Sequence, residues 1–147
     1  MAGSRRTVLA AAAVLGAMAI PAQAAVEDEL TPTWAKVNVC NPTQLGARAQ
    51  LAGDGSDFGM RVRFTAEWLS PAGWKSLNGS PTTPWLDAGS AEFTWGQAGW
   101  TYNLVLPETG ASYQLRAVAE MRLGSGRTET QTTDVCTVAA SQTGAGH

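Results

Sequence analysis

Histidine is nearly absent from this chain: the only one, His147, ends a tail of small residues. That removes the commonest general base and the commonest neutral metal ligand. Nucleophilic hydrolysis needs a base beside the nucleophile, and no G-x-S-x-G turn is present to raise a serine above a sheet. Two distant cysteines without a histidine cluster do not make a zinc site. No glycine-rich loop sits between a strand and a helix, so nothing cradles phosphate. Carboxylates remain, among them Glu67, Asp87, Glu92 and Glu120. A hydrolytic pair must face across a cleft, and these read instead as solvated charges on strand faces. The expectation is a protein that is not an enzyme and needs no cofactor or metal.

Runs of one charge are also missing. No Lys/Arg cluster and no basic amphipathic helix occurs, which leaves nucleic acid and membrane surfaces without a footprint. The longest apolar run, Val8 to Ile20, falls short of the ~20 residues that span a bilayer. No transmembrane segment is expected.

That run has another reading. Arg5 and Arg6 precede it, Pro21 breaks it, and Ala22-Gln23-Ala24 follows. Together these make an export signal over residues 1–24, cleaved after Ala24. Ser4-Arg5-Arg6-Thr7-Val8-Leu9 approximates a twin-arginine signal, so the general secretory and twin-arginine routes both stay open. Cleavage leaves 123 residues with eight basic and twelve acidic side chains, a net charge of −4. This is one domain's worth of chain. The exported part is expected outside the cytoplasm. There an even cysteine count reads as a single disulfide between Cys40 and Cys136.

What the chain does have is alternation. A polar leader, 25–33, is followed by short period-two runs separated by Gly, Pro or Asn. Trp34–Cys40 and Leu45–Leu51 come first. Met60–Leu69 is the clearest: Met60, Val62, Phe64, Ala66 and Trp68 alternate with Arg61, Arg63, Thr65 and Glu67. Trp74–Leu77 returns as a hairpin partner after Pro71-Ala72-Gly73. Ala91–Trp95 and Trp100–Leu106 are read as two further strands joined by Gly96–Gly99. Tyr113–Leu123 and Arg127–Val138 complete the set around Gly124-Ser125-Gly126, before a tail at 139–147. The result is an all-β domain over 34–138, with seven to eight antiparallel strands and no helical period.

At Leu106-Pro107-Glu108-Thr109-Gly110-Ala111-Ser112-Tyr113, followed by Gln114-Leu115-Arg116-Ala117, the chain resembles the tyrosine-corner region of fibronectin type III and related immunoglobulin-like β-sandwiches. Met60–Leu77 resembles the central hairpin of such domains. The resemblance implies that Tyr113 is buried and pins the corner through its hydroxyl. The cysteines depart from the antibody pattern. Cys40 closes the first strand and Cys136 lies near the end of the last, so the pair would staple the terminal strands. The chain also looks like small secreted actinobacterial proteins, a likeness that implies no activity.

Six tryptophans sit in the mature part. Trp68 and Trp100 share a face with core residues and are expected inside. Trp74, Trp85 and Trp95 lie near turns, as platforms for a protein or polysaccharide ligand or as plugs over the sandwich ends. If the two strands 60–69 and 113–123 are neighbours, Arg61, Arg63, Arg116 and Arg122 share one outer face with Glu67 and Glu120. That face is either a ladder of ion pairs or a docking surface for an anionic polymer. The functional expectation is a secreted binding or adhesion module. The alternatives are a structural or protective protein, or an inhibitor presenting the loop 78–88. Oligomeric state is left open.

Overall fold

The computed structural model describes residues 33–124 and 126–140. The expected export signal (1–24), the expected leader (25–33) except Thr33, and the expected tail (139–147) except residues 139–140 lie outside the described residues.

Among the described residues nine strands form in chain order: β1 (Trp34–Asn41), β2 (Gln44–Ala52), β3 (Gly59–Ser70), β4 (Gly73–Ser76), β5 (Leu86–Ser90), β6 (Trp95–Asn103), β7 (Ser112–Arg122), β8 (Thr128–Thr132) and β9 (Cys136–Ala139). They make two antiparallel sheets, one of six strands and one of three. The smaller runs β1-β2-β6. The larger runs β9-β7-β3-β4, with β5 also on β3 and β8 also on β7. This is an open all-β sandwich, not a closed barrel.

The period-two runs create the interior directly. Leu45, Ala47, Ala49 and Leu51 of β2 face Met60, Val62, Phe64 and Ala66 of β3 and Leu115, Ala117, Ala119 and Met121 of β7; all are 0–1 % exposed. Burying such side chains contributes about 25 cal/mol per Å² of apolar surface removed from water. Five of these twelve residues are alanine. Phe64 is the largest side chain among the twelve.

Each edge of the larger sheet is interrupted, and the two interruptions are built alike. Between β4 and β5 the chain follows β3 without forming a regular strand, because Pro81 and Pro84 have no N–H to give. Thr83, buried there, restores the ladder. Its N–H donates to the Phe64 carbonyl (2.9 Å), its hydroxyl accepts from the Phe64 N–H (3.1 Å), and the same hydroxyl donates to the Pro84 carbonyl (2.7 Å). Between β8 and β9, Thr133 repeats the arrangement on Ala117 (2.9 and 3.0 Å) and donates to the Asp134 carbonyl (2.8 Å). A threonine hydroxyl thus takes the place of a backbone carbonyl at both breaks, which keeps a buried N–H paired.

The terminal strands are stapled across the sandwich. Cys40 on β1 and Cys136 on β9 form a disulfide with a Cα–Cα distance of 5.7 Å. Beside it the Asp134 carboxylate accepts the Val37 N–H at 2.8 Å, where β1 shifts register between Val37 and Val39.

The sequence reading needs four corrections. Arg127–Val138 is two strands, because its break is made by a Thr hydroxyl and carries no Gly or Pro. Ala91–Trp95 does not form the strand expected there: residues 91–94 turn, and the strands are Leu86–Ser90 before and Trp95–Asn103 after. Gly96 and Gly99 lie within β6 and mark close approach, not a turn. A Cβ at Gly96 would meet the Ala88 carbonyl oxygen at 1.8 Å, and one at Gly99 the Ala47 carbonyl oxygen at 3.0 Å. Trp100, expected in the core, is 38 % exposed. It shares the inner side with its partner Ala47, but β6 is the border of its sheet and the ring overhangs it.

Candidate functional site

The outer face of the larger sheet is assembled by the register of β3 and β7. Arg61 pairs with Arg122, Arg63 with Glu120 and Glu67 with Arg116. Because Val62, Phe64 and Ala66 point inward, these six charges point outward together. β4 and the segment before β5 add Trp74 and Trp85 along the same border, since Leu69 pairs with Trp74 and Val62 with Leu86.

The rings and the cations are coupled. The Arg116 guanidinium lies 4.1 Å from the Trp74 ring centroid, and its Nε donates to Glu67 at 2.8 Å. Trp85 carries two cations, Arg63 at 4.6 Å and Arg122 at 4.1 Å. Arg63 also donates through Nη2 to Glu120 at 2.8 Å, while its Nε is buried and unpaired. Ion pairs this exposed are worth at most about 1 kcal/mol each, and stacking on a ring adds about 0.5–2 kcal/mol. Their main consequence is rigidity: two rings and three guanidiniums are fixed in place. Arg61 and Arg122 stand side by side at the Trp85 end; among the described residues neither is hydrogen-bonded to a carboxylate, and Asp87 is the register partner of Arg61.

Trp95 does not join this face. It belongs to β6 in the smaller sheet, pairs with Ala52 and is 49 % exposed on that sheet's outer side. Phe58 (50 % exposed) and Phe93 (64 %) stand on the two loops next to it. These loops are laced by backbone hydrogen bonds from Gly53 to Thr94 and from Ala91 to Phe58 (2.9 and 2.8 Å). Asp54 stiffens the first loop by accepting from the Ser56 hydroxyl and amide. These bonds hold its carboxyl below the ordinary carboxylate value.

At the opposite end the sheets part around a cleft of about 570 Å³, floored by Trp68, Leu115 and Tyr113 and walled by Leu77, Leu104 and Leu106. Trp68 meets Tyr113 edge-on at 6.5 Å. The Tyr113 hydroxyl accepts the Glu108 N–H at 3.2 Å, so the tyrosine is tied to its corner as expected. It is half-buried, not buried, because one side of its ring lines the cleft.

Sequence reasoning missed Tyr102. It is buried, and its hydroxyl donates to the Pro81 carbonyl at 2.9 Å, joining β6 to the border of the opposite sheet. Desolvation drives its pKa far above the ordinary value. Its alternation with Trp100 was the available signal. Among the described residues no group of three or more His, Cys, Asp or Glu is placed to hold a metal ion, and no helix is long and apolar enough to cross a membrane. The disulfide points to an oxidising compartment outside the cytoplasm. The chain matches no protein-family model and no curated protein.

Proposed function

We propose that this chain is an exported, non-catalytic binding or adhesion module whose outer Arg/Trp face docks an acidic polysaccharide or similar anionic polymer. The observation that carries the reading is Trp85 held under two guanidiniums with Arg61 beside Arg122. The pre-set donors offer bidentate contacts to carboxylate or phosphate and lose little entropy on binding. Net charge is negative, so a local excess of arginine is a feature of this face and not of the whole surface.

The fold belongs, in this reading, to the immunoglobulin-like group, nearest the fibronectin type III arrangement. The strand order β1-β2-β6 against β4-β3-β7-β9 supports it, as does the hydroxyl bond of Tyr113 to its corner. The residues of the leading segment and the disulfide support export. An inhibitor presenting the loop 78–88 has less support, because Pro81 and Thr83 are bonded along β3 and do not project.

The test is cosedimentation of the mature chain with acidic cell-wall polymer across a salt series. Binding at low ionic strength should vanish as salt rises and should be lost in Arg61→Ala/Arg122→Ala. Absence of binding by the wild type at low salt overturns the docking role and leaves the face a solvated ladder.

A further inference from the structure

The sandwich has four sheet borders, and three of them are blunted. On the larger sheet one border is split into β4 and β5 and the other into β8 and β9, none longer than five residues. On the smaller sheet β1 is bulged between Val37 and Val39, has its Val37 N–H taken by Asp134, and is tied down by the disulfide. Interruption, bulging and side-chain capping are the devices by which natural sheets refuse further strands. The fourth border, β6, has none of them. It runs nine residues with every one paired to β2 and no register shift. It contains no proline and no charged residue. Among the described residues it pairs with no other strand. Where β5 comes near, it lies over the inner face, in the direction of the missing Gly96 Cβ, and not along the hydrogen-bonding border.

We infer that β6 is a self-association edge, pairing antiparallel with β6 of a second copy about a twofold axis at Gly99. The residue pattern selects this occupant. Centred on Gly99, the register sets Trp100 opposite Ala98 and Tyr102 opposite Gly96, with Gln97 opposite Thr101. Each large inward ring meets a small residue, and no like charges face each other. The overhang of Trp100, 38 % exposed in the single chain, supplies a ring to lie over Ala98 of the second copy. A pairing of this kind is isologous and closes, so it yields a dimer and not a fibre. The three-stranded sheet becomes a continuous six-stranded one, leaving the Arg/Trp faces on the other sheets free. The dimer therefore does not depend on the proposed polymer binding.

The experiment is sedimentation velocity of the mature chain over a concentration series, with hydrogen–deuterium exchange at both ends of the series. A dimer is expected, with residues 95–103 gaining protection as it forms. Gln97→Lys/Thr101→Lys places two like-charge pairs across the axis and should weaken the dimer about tenfold or more. Gln97→Glu/Thr101→Lys makes the same two pairs attractive and should restore it. Thr130→Lys, on a border of the other sheet, should change nothing. A wild-type monomer at every concentration, or a dimer without protection at 95–103, overturns the inference. So does equal weakening by both double variants. The exchange measurement uses the wild type alone and decides the matter even if the lysine variants fail to fold.

Discussion

The larger sheet covers its two outer tryptophans with arginine, whereas the smaller sheet leaves two of its three tryptophans exposed. On the larger sheet, Trp74 and Trp85 are covered by arginines that are themselves partly paired with Glu67 and Glu120. On the smaller sheet Lys36 lies 4.8 Å from the Trp34 ring, but Trp95 and Trp100 stand 49 % and 38 % exposed, and among the described residues no cation lies over either ring. Stacking by a guanidinium turns an apolar ring into part of a hydrated, rigid surface. A ring without one stays available to another protein. Tryptophan count alone is therefore a poor guide to a binding site, and the cation beside each ring decides which chemistry its surface favours.

The same contrast runs through what holds each sheet, and removing the shared staple should have the largest effect. The Cys40–Cys136 disulfide joins a border of each sheet across a sequence separation of 96. Loop-closure entropy assigns it about 4–5 kcal/mol. Cys40→Ala/Cys136→Ala should lower the urea midpoint accordingly. An unchanged midpoint would mean that the interior alone holds the sheets together.

The two-point threonine devices at Thr83 and Thr133 lie on the larger sheet. Thr83→Val and Thr133→Val keep the shape but strand the N–H of Phe64 and of Ala117, each of which should cost about 1–3 kcal/mol. Chemical denaturation of the two variants measures this, and similar losses are expected because the two geometries match. A large loss in one variant and none in the other would break the equivalence of the two borders.

Tyr113→Phe removes one exposed hydrogen bond at the cleft end of the larger sheet. The expected loss is about 1 kcal/mol or less in a calorimetric melt, smaller than for the buried threonines because solvent reaches the Glu108 amide.

The smallest effect concerns pH. Asp54 has a lowered pKa in the folded chain, chiefly from its Ser56 hydrogen bonds and less from Arg127. A depressed carboxylate contributes stability that is present above its unfolded value of 3.8 and is lost as pH falls through and below it. The group is exposed, so the consequence should be local: faster amide exchange at Ser56 in acid, without global unfolding. Exchange at Ser56 that ignores pH, once corrected for its intrinsic dependence, would remove Asp54 as the support of that loop.

Much of the architecture was legible in the residues. Alternation at Met60–Ala66 and Leu115–Met121 put the correct side chains inside, and it put Arg61, Arg63, Arg116 and Arg122 on one face once the two strands were neighbours. Cysteine parity, read behind an expected export signal, gave the disulfide. The site was less legible. Periodicity assigns a side chain to a face but not to a position across the sheet, so it placed Trp100 inside although its strand is a border. It also grouped Trp95 with Trp74 and Trp85, which belong to the other sheet.

By itself the sequence determined the strand faces, the all-β class and the covalent staple, because each follows from local alternation or from the chemistry of two thiols. Only the tertiary structure decided which strands lie at borders, that Gly96 and Gly99 are points of close approach, and that two threonine hydroxyls replace backbone carbonyls. Those depend on contacts between residues far apart in the chain: Gly96 with Ala88, Gly99 with Ala47, Thr133 with Ala117. No local pattern encodes a distance between two strands that have not yet met.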